Sequence, residues 1–404
     1  MNTPEPRELQ ELVRELHQHA APWLPSGLAT RLAWGPPVQP APGETQPTVI
    51  STARLDRILE HNPGDFTVTV QAGTPLQAVQ EALAEHRQWL AVDWPWGSRA
   101  SGAGSGSIGG LVARGLAGGY RQRYLGIRDQ LIGIQLMRSD GTLARAGGKV
   151  VKNVAGYDLM RLLCGSWGSL ALITELTLRT LPVPPERRGL WLRGPLDSLA
   201  ALSRWLLNSS LSPERVEWLR LAGAEPGVLV SLASISPQTL DEQVACIGAK
   251  AADHGCDREC LTGEALLERL DQGRGAGSAA GWLLRLGVRP DHGPELLKEA
   301  ALTGIPIVLG AASGLAMAWA DGPALPAYRV EQLRRRCQEL GGYLTVLSQP
   351  AGSAVPAWLD APSRPLIEAV KRQFDPKQQL ARGRLPGVTP PDWAYSASSR
   401  SWQR

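Results

Sequence analysis

The sequence predicts an α+β protein in two main parts, and three observations carry that expectation. Residues up to about 182 are rich in glycine and in short strand patterns, with few helices. A proline-rich break follows at Pro182-Val183-Pro184-Pro185, where neither a ladder nor a helix can continue. Beyond it strand and helix patterns alternate, the rhythm of one antiparallel sheet covered by helices. The 404 residues leave room for two or three domains, and an apolar share of 43% supplies their cores.

In chain order, Leu9, Leu12, Val13 and Leu16 follow helical spacing and predict an amphipathic surface helix over residues 5–20. Acids and arginines from Glu5 onward argue against a signal peptide. Alternating β-branched residues predict a strand at 67–71, followed by a helix at 75–85. Strand patterns recur at 129–137 and 172–178. In the second part, strands are predicted at 190–193, 227–233, 282–288 and 343–348. Helices are predicted at 197–207, 240–254, 295–302 and 330–340. Residues 300–320 carry no charge and are long enough to span a bilayer. Gly304, Pro306, Gly310 and Gly314 interrupt them, so the better parse is two strands, 305–309 and 315–320. A last helix begins near Arg364, and the polar tail after Thr389 is expected to be mobile.

A formal charge of +4 is mild over this length, and only six of the 42 cations are lysines, scattered along the chain. This argues against nucleic acid or an anionic membrane as the main partner. The cysteines at 164, 246, 256, 260 and 337 form an odd set without zinc-ligand or cluster spacing, and are expected to be free thiols in a reducing cytosol.

Chemistry is expected at the glycine clusters. Gly104, Gly106 and Gly109 satisfy G-x-G-x-x-G, with Asp129 twenty residues beyond. The segment before them, Asp93-Trp94-Pro95-Trp96-Gly97-Ser98-Arg99, is not the buried apolar strand that a dinucleotide fingerprint requires. Gly148-Lys149 is followed by Val150, so a Walker-type loop is absent as well. Two readings stay open: Ser107-Ile108-Gly109-Gly110 offers consecutive backbone N–H groups for an anion, or the glycines only serve turns.

A second cluster favours the first reading. Gly147-Gly148-Lys149-Val150-Val151-Lys152-Asn153-Val154-Ala155-Gly156-Tyr157-Asp158-Leu159 precedes Gly165-Ser166-Trp167-Gly168-Ser169-Leu170, and a strand with Ile173, Thr174 and Glu175 follows. This run resembles the second half of the PCMH-type FAD-binding domain of the vanillyl-alcohol oxidase family. Ser107 to Gly110 is similar to that family's pyrophosphate segment, and Tyr124-Leu125-Gly126-Ile127-Arg128-Asp129 to its Y-G-x-x-R-D element. The resemblance covers about residues 48–184, with Asp375-Pro376 and Arg384 similar to the closing segment. Within the family, the wording around Lys149 to Asp158 is most similar to the smaller FAD-binding subunit of glycolate oxidases.

The resemblance implies an α+β fold: a PCMH-type FAD-binding domain of two subdomains over 1–182 (helix 5–20, core similarity 48–182), then a smaller antiparallel α+β cap over 183–363. Residues 364–404 would return to the FAD domain and end in the tail. It implies non-covalent FAD, with the backbone amides of Ser107, Ile108, Gly109 and Gly110 on the pyrophosphate. Gly165, Ser166, Gly168 and Ile173 would line the flavin or the adenosine end. Arg128 and Asp129 would fix their loop, and Gly156 and Tyr157 complete the set, Tyr157 either stacking near the cofactor or anchoring its loop.

Implied partners are a small 2-hydroxy acid such as glycolate, a catalytic FAD subunit and an iron–sulfur subunit, in the cytoplasm or held at a membrane through those subunits.

Two departures from the family pattern stand out. Its first phosphate loop is expected near residues 31–38, where the chain runs Gly35-Pro36-Pro37 and one glycine has become proline, which removes an N–H donor; no His or Cys stands there to link a flavin covalently. The glycine turn Gly310-Ala311-Ala312-Ser313-Gly314-Leu315 lacks the His that related catalytic subunits carry. Oxidation of a 2-hydroxy acid needs a base for the hydroxyl proton and a cation for the carboxylate. No residue is assigned as the base; Arg285 and Arg289 are candidates for the cation, or else surface arginines. The activity reading is therefore an FAD-dependent oxidoreductase subunit, its alternative a catalytically silent scaffold of the same complex.

Overall fold

Val68 and Val70 alternate with Thr67 and Thr69 along one strand, so the valines meet the core while Thr69 Oγ1 pairs with Thr177 Oγ1 at 3.0 Å on the opposite face. A computed structural model describes residues 1–38, 40, 43, 45–93, 104–149, 158–273 and 280–391. The chain opens with α1 (Leu9–Gln18), then β1 (Trp23–Ser26) and β2 (Thr48–Ser51), which pair in parallel. Next come β3 (Ile58–Asn62), β4 (Thr67–Gln71), α2 (Leu76–Ala84), β5 (Gln88–Trp89), α3 (Ile108–Arg114), α4 (Arg121–Tyr124) and α5 (Ile127–Gln130). This part closes with β6 (Leu131–Met137), β7 (Leu143–Gly147), α6 (Leu159–Leu163), β8 (Leu172–Arg179) and β9 (Leu181–Pro182). Five of these strands form an antiparallel sheet in the order β3-β4-β8-β6-β7. Leu76, Val79 and Leu83 of α2 and Ile108 and Val112 of α3 pack on its core with Ile134, Leu136 and Leu176. The antiparallel order disposes of the dinucleotide-fold reading, which needs a parallel sheet.

The second part holds β10 (Glu186–Arg193), α7 (Leu196–Asn208), β11 (Pro213–Arg220), β12 (Gly227–Ser234), α8 (Pro237–Asp253), β13 (Asp257–Thr262) and α9 (Gly263–Gly273). It continues with β14 (Trp282–Gly287), α10 (Gly293–Leu297), β15 (Ile307–Gly310), β16 (Leu315–Ala320), α11 (Ala327–Glu339), β17 (Tyr343–Ser348) and α12 (Arg364–Phe374). Eight strands make one antiparallel sheet, β13-β10-β12-β11-β15-β16-β14-β17. One face packs on α7, α8 and α11 through Leu199, Leu206, Leu240, Ile247, Val330 and Leu333. The other turns toward the first part, and Met317 of β16 shares an apolar cluster with Trp167 and Trp358. The uncharged stretch 300–320 forms the β15–β16 hairpin, and no helix among the described residues is long and apolar enough to cross a membrane. The fold is thus α+β, a five-stranded antiparallel sheet with its helices beside an eight-stranded antiparallel sheet with its own. The expected tail lies mostly beyond the described residues, which end at 391.

Candidate active site

A cleft of about 1510 Å³, counting its open mouth, lies between the two parts. Its first wall comes from the loop after β1, Pro25-Ser26-Gly27-Leu28-Ala29-Thr30, and from Ser105, Gly106, Ser107, Gly109 and Gly110 at the start of α3. Gly168, Leu172 and Ile173 add the turn before β8. The opposite wall is the second sheet, through Glu217, Arg285, Val308, Leu315 and Met317.

Close backbone approach explains the glycines here. A Cβ on Gly27 would stand 2.0 Å from Ser107 Oγ, so only glycine lets the two loops touch. Likewise a Cβ on Gly109 would stand 2.8 Å from the Ala72 carbonyl.

The amides point differently from the sequence expectation. The N–H of Ile108 donates to Thr74 O (3.0 Å), that of Gly109 to Ala72 O (2.8 Å) and that of Gly110 to Ser107 Oγ (3.2 Å). These three donors are spent on holding the loop, so they are not the anion cradle expected of them. The N–H groups of Gly27, Leu28, Ala29 and Thr30 have no acceptor among the described residues, and Ala29 is left-handed at φ 57°. Successive amides around a left-handed residue make an anion-binding concavity.

The loop with free backbone N–H groups on the cleft is therefore Gly27 to Thr30, several residues before the expected 31–38. Pro36 and Pro37 do not line the cleft, and Pro36 O instead accepts from Arg384 Nε at 2.8 Å. The missing N–H donors there subtract nothing from the cradle.

Three arginines surround that loop. Arg114 Nη2 donates to Arg31 O (2.6 Å), and its guanidinium stacks 4.1 Å above Trp167. Arg384 Nη2 donates to Leu32 O (2.8 Å), so the closing segment fastens the first loop. Burial, then the neighbouring charges of Arg384 and Arg31, push the Arg114 pKa well down, and burial lowers that of Arg31 to about 10. Such crowding of cations is relieved by an anion, and the bare amides of Gly27 to Thr30 face the same cleft. The residues fit a dinucleotide with a pyrophosphate.

Other expected site residues are distributed unevenly. Ser107, Gly109, Gly110, Gly168 and Ile173 line the cleft, whereas Ile108 is buried beneath it. Gly165 lines a neighbouring cavity, and Ser166 is buried. Arg128 and Asp129 sit on α5 away from the cleft, where Asp129 Oδ2 accepts from the Gly126 N–H at 3.2 Å. Gly156 and Tyr157 lie outside the described residues. Of the two candidate cations, Arg285 faces the cleft and Arg289 is exposed outside it. The Arg285 guanidinium has no hydrogen-bond or carboxylate partner among the described residues, only the Tyr343 ring at 5.9 Å. Sequence reasoning missed Gly27 to Thr30, Arg114 and Glu217; the pair Ser26-Gly27 directly after a strand was the one available signal.

Comparison with known proteins agrees with this geometry. Residues 4–147 match the FAD binding domain family. The chain is 29% identical over 337 residues to glycolate oxidase subunit GlcE of Escherichia coli (strain K12), covering 81% of this chain and 84% of that one. It is 38% identical over 189 residues to a D-2-hydroxyglutarate dehydrogenase of Xanthomonas citri pv. viticola, and 30% over 223 residues to glycolate oxidase subunit GlcD of Bacillus subtilis (strain 168). Those two alignments cover 46% and 53% of this chain, and only 38% and 44% of the relatives' lengths. In structure, alkyldihydroxyacetonephosphate synthase superposes with a TM-score of 0.63 over 93% of this chain and 75% of its own, at 13% identity, a likeness of fold alone. The chain carries an FAD binding domain of the PCMH type, and with FAD as its cofactor it stands among the FAD-dependent oxidoreductases.

Proposed function

We propose that this chain is the FAD-binding subunit of a complex that oxidises a small 2-hydroxy acid, glycolate being the first candidate. One observation carries the reading: the sheet wall of the cleft is apolar through Val308, Leu315 and Met317, yet presents the unpartnered guanidinium of Arg285. A planar cation on an apolar wall suits a small carboxylate. Bound FAD would supply the two-electron acceptor, and the protein supplies position and charge. Gly27 to Thr30 would hold the pyrophosphate, Gly168 and Ile173 the neighbouring part of the cofactor, and Arg285 the substrate carboxylate. The similarity to glycolate oxidase subunits supports a heteromeric assembly with a second flavin subunit and, as the reading goes, an iron–sulfur subunit. The division into an FAD domain (1–182), a cap (183–363) and a returning segment (364–404) belongs to the same proposal.

The alternative is an assembly subunit without chemistry of its own. It draws on the β15–β16 turn, where Ala311, Ala312, Ser313 and Gly314 offer no ionisable group. The test is anaerobic mixing of the FAD-loaded chain with glycolate or D-lactate. Bleaching of the flavin bands is expected; a flavin that no hydroxy acid bleaches leaves the assembly reading, and a chain that takes up no FAD removes both cofactor roles.

A further inference from the structure

The second sheet brings to the cleft a carboxylate that no sequence motif marks. Glu217 of β11 is 3% exposed and lines the cleft. Its Oε2 accepts from Arg215 Nη1 at 3.0 Å. Arg215, fully buried, donates Nη2 to Asp93 Oδ1 at 2.8 Å and lies 3.7 Å over the Tyr120 ring. Asp93 Oδ2 in turn accepts from the N–H groups of Gly118 (3.0 Å) and Tyr120 (3.3 Å). One side of the Glu217 carboxylate is thereby clamped from both parts of the molecule.

The other side is not. Oε1 has no hydrogen-bond donor among the described residues, and a Cβ on Gly119 would stand 2.4 Å from it. The carboxylate rests against the bare Gly119 backbone beside the cleft, while Asp93 rests against Gly118. Across the ladder, Arg285 pairs with Met317, Met317 with Val308, and Val308 with Leu219, two residues beyond Glu217 on the same face. Arg285 and Glu217 thus flank one apolar strip, Val308 and Met317, from its two ends.

We infer that Glu217 is the catalytic residue that takes the hydroxyl proton of the 2-hydroxy acid, with Arg215 as its positioning residue; this rests on the oxidase reading of the same cleft. The O–H bond breaks with its proton passing to Glu217 Oε1. The oxygen lone pair left behind closes the C=O bond of a 2-oxo acid as the C2 hydrogen leaves with its bonding electron pair, a hydride that bound FAD would accept. The substrate loses two electrons, one proton and one hydride in all, and Glu217 later returns its proton to water. The charged and titratable groups around it are Arg215 on its own strand, Asp93 after β5, Tyr120 before α4, and Glu214 and Arg187 beyond them.

The test is Glu217→Gln in the FAD-loaded chain, with Glu217→Asp alongside. FAD content should match the wild type and the melting temperature should fall modestly, since Arg215 keeps Asp93 as a carboxylate partner, while anaerobic reduction by glycolate or D-lactate slows at least ~100-fold, the range of a lost general base. Glu217→Asp, which keeps a carboxylate on the same strand, should recover part of the rate. Oxalate, titrated through the flavin absorbance, should bind Glu217→Gln as tightly or more tightly, because a negative charge has left the site. Reduction within about threefold of wild type overturns the inference and leaves the oxidase reading standing, as does loss of oxalate binding together with FAD. A wild-type flavin that no hydroxy acid reduces overturns both.

Discussion

Lys371 Nζ lies 2.5 Å from Asp375 Oδ2, a buried ion pair one turn apart at the end of α12. The ammonium also donates to Ser169 O (2.6 Å) and Leu380 O (2.9 Å), and the same carboxylate oxygen accepts from the Leu380 N–H at 2.8 Å. Ser169 follows Gly168, which lines the cleft, so this pair ties the segment after β17 to the cleft wall. Burial lowers the Lys371 pKa, and the attraction of Asp375 offsets this only in part. Removing one partner strands a buried charge, which costs about 3–5 kcal/mol, whereas an apolar pair of similar volume costs far less. Lys371→Met should lose roughly that much in urea unfolding of the FAD-free chain, and Lys371→Met with Asp375→Leu should lose clearly less than the two single changes summed. An additive double change would reduce the pair to two independent contacts.

The contact of Gly27 with Ser107 makes a prediction about the cofactor. In Gly27→Ala the new methyl meets Ser107 Oγ, which must move, and the loop carrying the bare amides moves with it. FAD affinity, measured by fluorescence quenching on titration, should fall at least ~10-fold, the factor that corresponds to about 1.4 kcal/mol. Adding Ser107→Gly should restore part of the affinity and cost only about 0.3 kcal/mol of stability, since Ser107 caps α3 through the Gly110 N–H and glycine is itself a tolerated cap. No restoration would mean that the contact does not set the loop.

Arg285 and Arg289 separate a cleft residue from a surface one. Hydrogen bonds to a charged group contribute about 1.5–3 kcal/mol, so Arg285→Gln should weaken oxalate binding by roughly 10- to 150-fold with FAD content unchanged. Arg289→Gln should bind oxalate as the wild type does. Equal effects from the two would place the carboxylate elsewhere.

Burial pushes the Cys164 thiol up to about 11. At pH 8 about one thousandth of it is thiolate, the reactive form. Alkylation of Cys164, followed by peptide mass spectrometry, should be slow at pH 8 and accelerate up to about pH 11, long after the exposed Cys246 and Cys260 have reacted. Equal rates at pH 8 would contradict this environment.

Regular patterns made most elements legible. The strands at 67–71, 315–320 and 343–348 were bounded by their alternation and by flanking Gly, and they stand at those residues. The strand β11, Pro-Glu-Arg-Val-Glu-Trp-Leu-Arg, was not legible. Its Glu214, Arg215, Glu217 and Arg220 read as solvent-facing, yet all eight of its residues are buried, because the partners that make the burial tolerable come from distant segments. Arg215 meets Asp93, and Glu214 meets Arg187 and Tyr124, pairings that no local window contains. The same limit applied to the loop after β1. Gly27 there is needed for a contact with Ser107, eighty residues on, which no local spacing reveals.

Glu214 supplies the last prediction, because it shows what these distant pairings are worth. Arg187 donates Nε and Nη2 to its carboxylate at 2.9 and 3.0 Å, Ser231 Oγ at 3.1 Å and Tyr124 Oη at 2.8 Å. Three segments converge on one side chain with 1% exposure, and Tyr124 belongs to the FAD domain side. Burial, then the negative charge of Glu214 and the hydrogen bond to it, raise the Tyr124 pKa above its ordinary value, so Tyr124 remains a donor across the working pH range. Glu214→Ala leaves the half-buried Arg187 without its anion and two hydroxyls without an acceptor, and should cost about 3–5 kcal/mol in urea unfolding. Glu214→Gln keeps the shape and one acceptor oxygen, so it should cost measurably less. Tyr124→Phe removes a single donor and should cost about 1.5–3 kcal/mol, the range for a hydrogen bond to a charged group. If Glu214→Ala and Tyr124→Phe cost the same, the carboxylate serves the Tyr124 contact alone, and Arg187 finds its stability on the Trp89 ring beneath it, 4.8 Å away.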